Sequence, residues 1–177
     1  MALVLVAAAA LVLGLVALMR SAVSVPDRHA YVVARLGRYQ GTLEAGRHRI
    51  VPFVDTVVRR YSRDRDTVAL SATCTTRDGE SVVVEGSLGF RVTEPALAYL
   101  ATDDPSLLAS GLATGIAQRA IGKLRLAEAR ERTREVEAAI LREANSVIAA
   151  QAGAGQAAGI EVLDCSLERI DTPALIG

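Results

Sequence analysis

The 177-residue chain contains no tryptophan, and only six of its residues are phenylalanine or tyrosine. Histidine occurs twice, at His29 and His48. With no cluster of histidine, cysteine and carboxylate, the sequence offers no dedicated metal site. Cys74 and Cys165 lie far apart, which fits neither a disulfide framework nor a zinc ribbon, and they read as reduced structural thiols. Of the 20 basic residues only Lys123 is lysine. An excess of one charge sign is also lacking: 20 basic side chains balance 20 acidic ones, so the chain does not have the basic surplus of a nucleic-acid binder. What it has in quantity is aliphatic residue, with 51% hydrophobic content and a mean hydropathy of +0.29. The charge balance conceals an asymmetry. Residues 20–65 carry ten arginines against four acids, whereas residues 66–177 carry ten basic residues against sixteen acids.

Residues 1–22 read as a membrane anchor. From Ala2 through Leu11 and Leu18 to Met19 no side chain is charged or polar, and Arg20 closes the run. A helix over those 18 residues is about 27 Å long, close to the thickness of a bilayer core. The rivals are a cleaved signal peptide and an intramembrane hairpin or shallow insertion. A signal peptide wants basic residues before a shorter apolar core, and no lysine or arginine precedes this one. Arg20, Arg28, Arg35 and Arg38 all follow the run, so the positive-inside rule predicts a single-pass protein of the cell membrane with a cytoplasmic body. Arg20 and Arg28 are the expected membrane-proximal cations, and Pro52 and Phe53 belong to an apolar segment that either packs in the core or, so near the anchor, dips into the membrane interface.

The remaining chain alternates in period. Residues 29–36, 55–62 and 66–74 read as strands, broken by Gly37, Gly41 and Gly46. Val82, Val84, Leu88, Phe90 and Val92 alternate with polar or small residues, and with residues 66–74 they predict an antiparallel hairpin around a turn at 77–80. Helix signals follow at Pro95 and at Asp104-Pro105, with Leu107, Leu108, Gly111, Leu112, Gly115 and Ile116 at helical spacing. Residues 126–152 read as one long helix, rich in alanine, glutamate and arginine. Its stripe of Val136, Ile140, Ala144 and Val147 packs either on the sheet or on a neighbouring subunit, and Val136, Ile140 and Val147 are the candidate contacts between copies. A last strand spans 160–170. The fold class is therefore α+β, with an N-terminal transmembrane helix, largely antiparallel strands packed with helices, and a long helix near the C-terminus. The expected division is an anchor at 1–22, a mainly β part at 23–76 and an α/β part at 77–173.

No catalytic constellation emerges. Gly115, Gly122 and Lys123 miss the spacing of a phosphate loop, and Leu124 stands where its hydroxyl residue belongs. No Gly-x-Ser-x-Gly elbow occurs. The expectation is a protein that is not an enzyme and has no catalytic residues, no cofactor and no metal.

Gly37, Arg38, Leu43, Gly46, His48, Pro52, Phe53 and Asp55, directly after an apolar N-terminus, resemble the opening of the stomatin/prohibitin (SPFH, or band 7) domain. The likeness continues through residues 75–95 and Tyr99, through Arg119 to Leu124 with Leu126 and Glu128, and through residues 158–171. It is strongest with the stomatin-like branch. The resemblance implies a membrane-bound, non-enzymatic scaffold that oligomerises, organises membrane microdomains and regulates membrane proteins. Its partners would be the lipid bilayer, further copies of the chain and a membrane protease or channel, with no nucleic acid. The alternative is a regulatory subunit for one membrane protease or transporter, without self-assembly. Stomatin-like proteins usually continue into a coiled coil beyond this domain. Contacts between copies are therefore expected through the domain itself and its 126–152 helix.

Overall fold

A computed structural model describes residues 1, 6–8, 11, 12, 14, 22–153 and 158–172. Residues 6–8, 11, 12 and 14 are helical. Among the described residues no helix is long and apolar enough to cross a membrane. Most of the expected anchor, including Ala2, Leu18, Met19 and Arg20, lies outside the described residues. Leu11 is described and exposed.

The chain forms two units, 1–63 and 64–177. In the first, β1 (Ala22–Val25) pairs antiparallel with β4 (Gly46–Arg49). A separate sheet has the order β3-β2-β5, built from β2 (His29–Arg35), β3 (Arg38–Leu43) and β5 (Asp55–Ser62). Val25, Ala30, Val32, Val33, Ala34 and Tyr61 are buried in this unit. Bulges flank Val33 on both pairings of β2, and they add local twist.

The second unit is an antiparallel sheet of order β6-β7-β8, from β6 (Asp66–Thr75), β7 (Ser81–Val92) and β8 (Ile160–Asp171). The 66–92 hairpin read from the alternation is present. Its turn is fixed by Thr76, whose hydroxyl donates to the Glu80 carbonyl (3.1 Å), and by Gly79 at φ 85°. Because β6 pairs with β7 along its whole length, it belongs to the second unit, and the division falls at Arg63/Asp64 instead of 76/77.

Helices α1 (Pro95–Ala101), α2 (Pro105–Ile121), α3 (Leu126–Glu131) and α4 (Thr133–Gly153) complete the unit. Asp104 caps α2 by accepting from the Ser106 and Leu107 amides. The inward face of α2 is not its leucines. Ala109, Ala113, Ile116, Ala117 and Ile121 are buried, whereas Leu107 points to solvent. Small residues there let the helix approach β6 closely.

The helix expected at 126–152 is two helices. Arg132 leaves helical geometry (φ −104°, ψ 28°). The Thr133 hydroxyl donates to the Arg130 carbonyl (3.0 Å), a local alternative to the helical ladder. Helix α4 buries Val136, Ile140, Ala144 and Ile148. It also seals the outer edge of β8. Asn145 donates to the Val162 carbonyl (2.8 Å) and accepts from the Val162 amide (3.0 Å), and Glu137 accepts from the Leu167 amide (2.7 Å). Strand edges are otherwise templates for adventitious pairing.

Candidate functional site

The first unit ends in an apolar tip built by two adjacent turns. Arg35 pairs with Arg38 across the β2–β3 hairpin, leaving Leu36-Gly37 as a two-residue loop. Both loop residues have positive φ, 49° and 81°, as such hairpin turns require. The second turn leads into β5. The Val54 amide donates to the Val51 carbonyl (3.3 Å), with Pro52 and Phe53 at the corner and Phe53 at φ 68°. The Leu36 amide donates to the Val54 carbonyl (3.2 Å), which holds the two turns side by side.

Both corners carry bulky apolar residues where glycine or asparagine would be at ease. Leucine or phenylalanine in left-handed backbone costs about 1–2 kcal/mol each. Burial does not repay that cost, because Phe53 is 93% exposed and Leu36 82%. Val51 beside them is also exposed. Three apolar side chains are thus displayed on strained turns.

Asp55 fastens the tip. Its side chain is only 6% exposed, and it accepts from Arg35 Nε (2.7 Å), from Arg35 Nη2 (3.1 Å) and from the Val51 amide (2.8 Å). The Arg35 hydrogen bonds, then the Val51 amide, hold its carboxyl below the usual carboxylate range. The sign follows. A depressed folded pKa gives stabilisation that is complete above the unfolded value, about 3.9, and is lost as pH falls through the folded one. We expect Asp55→Asn to speed amide exchange at Leu36 and Val54 at neutral pH, with little change in global unfolding. The wild type should show the same loosening only in acid below pH 4. Unchanged exchange in the variant would disprove the fastening role.

Strand pairing also fixes where the N-terminal segment enters. Ala22, the first residue of β1, pairs with Arg49, two residues before Val51. The exit of the apolar run and the apolar tip therefore share one end of the unit. Arg28 does not join them. It lies before β2, whose far end carries Arg35, about 20 Å away at strand rise. The expected membrane-proximal set thus splits, with Pro52 and Phe53 at the tip and Arg28 at the opposite end, where its carbonyl accepts from the Arg63 amide (2.7 Å). Beyond Arg35, which Asp55 holds, the cations nearest the tip in sequence are Arg38 and Arg49, both exposed. Residues 22–63 as a whole carry eight arginines against three acids.

The helical candidates are placed differently from expectation. Val136 is 3% and Ile140 0% exposed, so both are spent inside their own unit and have no surface left for a neighbouring copy. Val147 is half-buried. The sequence singled out Pro52 and Phe53 as either core or interface residues, and the structure places Phe53 in solvent at the tip, while Leu36 and the fastening by Asp55 were overlooked. A leucine before glycine in a two-residue turn was the available signal.

Among the described residues no three histidine, cysteine or acidic side chains cluster to hold a metal. Cys74 is buried, and burial with Glu137 and Asp164 nearby pushes the half-buried Cys165 thiol up to about 11. At neutral pH Cys165 is a protonated thiol, not a thiolate nucleophile.

Residues 23–176 match the sequence profile of the SPFH domain / Band 7 family. Stomatin-like protein 2, mitochondrial, of Homo sapiens is 29% identical over 105 residues, covering 58% of this chain and 29% of that protein. A stomatin-like protein of Caenorhabditis elegans is 28% identical over 105 residues, 58% of this chain and 32% of its own length. An uncharacterized protein of Methanocaldococcus jannaschii is 31% identical over 121 residues, 67% of this chain and 61% of that protein. The chain therefore spans under a third of the length of its stomatin-like relatives.

Proposed function

Because the chain belongs to the SPFH domain / Band 7 family, in its stomatin-like branch, we propose that it is a non-enzymatic membrane scaffold whose first unit rests on the bilayer through the Leu36–Phe53 tip. Residues 1–22 anchor it as a single pass, with the body on the cytoplasmic side where the flanking arginines belong. Copies assemble to organise the surrounding membrane or to regulate membrane proteins.

One observation carries the membrane-facing part. Leu36, Val51 and Phe53 are exposed on strained turns at the end of the unit where Ala22 receives the apolar N-terminal run. A lipid surface is the partner that rewards such a display, since burying a leucine or phenylalanine side chain yields about 1.5–3 kcal/mol. Arg38 and Arg49 nearby suit anionic head groups.

The chain has no tryptophan, so a single introduced one reports its own surroundings. In the 177-residue protein reconstituted into phosphatidylcholine/phosphatidylglycerol vesicles with brominated acyl chains, Phe53→Trp should be quenched. Ser62→Trp, at the far end of β5, should emit as in water. Equal, unquenched emission from both would refute contact at the tip.

A further inference from the structure

Helix α2 divides the charge of its unit. From Glu94 to Gln118 the chain has three acids and no lysine or arginine. From Arg119 to Arg134 it has six basic residues against Glu128 and Glu131. Each end also carries a shape. At the α1–α2 corner, Leu100 is 64% and Leu107 69% exposed, next to the exposed Asp103 and Asp104. At the other end, the C-terminus of α2 and the first half of α4 enclose a groove of about 320 Å³. Its apolar lining includes Ala120, Leu124 and Ala139, and its rim includes Lys123, Arg132 and Arg142.

Two glutamates also line the groove, and both are engaged. Glu143 accepts from Arg119 Nη2 (2.7 Å), and Glu135 lies 3.9 Å from Arg132. Among the described residues Lys123 and Arg142 have no carboxylate partner. The groove is therefore an apolar floor under unpaired positive charge, and the corner is a pair of leucines beside negative charge. The two ends of a 17-residue helix are about 24 Å apart, so one molecule cannot close this contact on itself.

We infer that the α1–α2 corner of one copy docks into the α2–α4 groove of the next, leucines against the floor and Asp103 toward Lys123. This rests on the assembly reading above and supplies its surface. The contact joins two different patches, so it is heterologous. Repetition yields a ring if the rotation closes and a filament if it does not.

The test is the mass of the 177-residue protein in mild detergent, by light scattering corrected for bound detergent. Wild type should be a discrete multi-subunit species. Asp103→Lys and Lys123→Asp should each weaken association about tenfold or more, through like charges facing across the contact. An equimolar mixture of the two variants should reassemble, because the reversed corner of one then meets the reversed groove of the other. That recovery also excludes misfolding as the cause of dissociation. A monomeric wild type overturns both the assembly reading and this contact. A multi-subunit wild type that neither substitution alters, or variants that dissociate and do not recover on mixing, overturns this contact alone.

Discussion

Gly159→Ala should cost the second unit about 3 kcal/mol or more, seen as a fall in unfolding midpoint of roughly 6–12 °C for a chain of this size. Gly159 stands at φ 61°, just before β8. Its carbonyl accepts from the Thr93 amide (2.9 Å) and the Glu94 amide (3.1 Å), tying the start of β8 to the end of β7 and the approach to α1. A Cβ there would lie 2.2 Å from the Glu94 carbonyl oxygen and 2.7 Å from the Ala98 amide nitrogen. Both are backbone atoms of the first turn of α1, which cannot swing aside as a flexible side chain can. Relief would move α1 or slide β8, and a one-residue slide would turn Ile160 and Val162 out of the core. Gly79→Ala is the internal comparison. That glycine also has positive φ, 85°, but nothing lies within 4 Å of an added Cβ. It should therefore cost only the backbone strain, about 1 kcal/mol. Urea unfolding followed by circular dichroism measures both, and equal losses would show that the collision at Gly159 relaxes freely.

Local signals in the sequence carried part of this fold. The β6–β7 hairpin could be read because Val82, Val84, Leu88 and Phe90 alternate with polar or small residues and the chain turns at Gly79, which are local signals. The start of α2 was equally local, an aspartate cap before proline. Period alone could not say what an apolar stripe packs against. Val136 and Ile140 looked equally suited to a sister subunit and to the sheet, and the fold commits them to its own core. On α2 the leucines were the visible hydrophobes, yet the close approach to β6 selects Ala109, Ala113 and Ala117, leaving Leu107 outside. At the break after Arg132 the Thr133 hydroxyl donates to the Arg130 carbonyl, a local contact that hydrophobic period does not register. The tip was half legible. Pro52 and Phe53 sat in a familiar layout, but left-handed backbone at Leu36 leaves no mark in hydropathy. The pairing of two distant turns through Leu36 and Val54 is a tertiary fact.

The tip yields the sharpest sign test, because stability and membrane contact should move in opposite directions. Asparagine tolerates the left-handed conformation far better than leucine or phenylalanine. Leu36→Asn with Phe53→Asn should therefore raise the unfolding free energy of the first unit, by about 1 kcal/mol or more in total. Neither side chain is buried, so no core packing is lost to offset the gain. The same pair should remove an apolar contact worth about 1.5–3 kcal/mol per side chain where the tip meets lipid. A tryptophan at position 51, where Val51 is already exposed, reads the second effect. In vesicles with brominated chains, Val51→Trp should be quenched in the otherwise native protein and much less so when both asparagines are present. Hydrogen exchange at the buried Val32 and Tyr61 reads the first effect. A loss of stability in the double variant would mean that Leu36 and Phe53 hold the fold together. Unchanged quenching would mean that the tip does not enter the bilayer. The combination of higher stability and weaker contact is what strained, solvent-exposed hydrophobes kept for a lipid surface require.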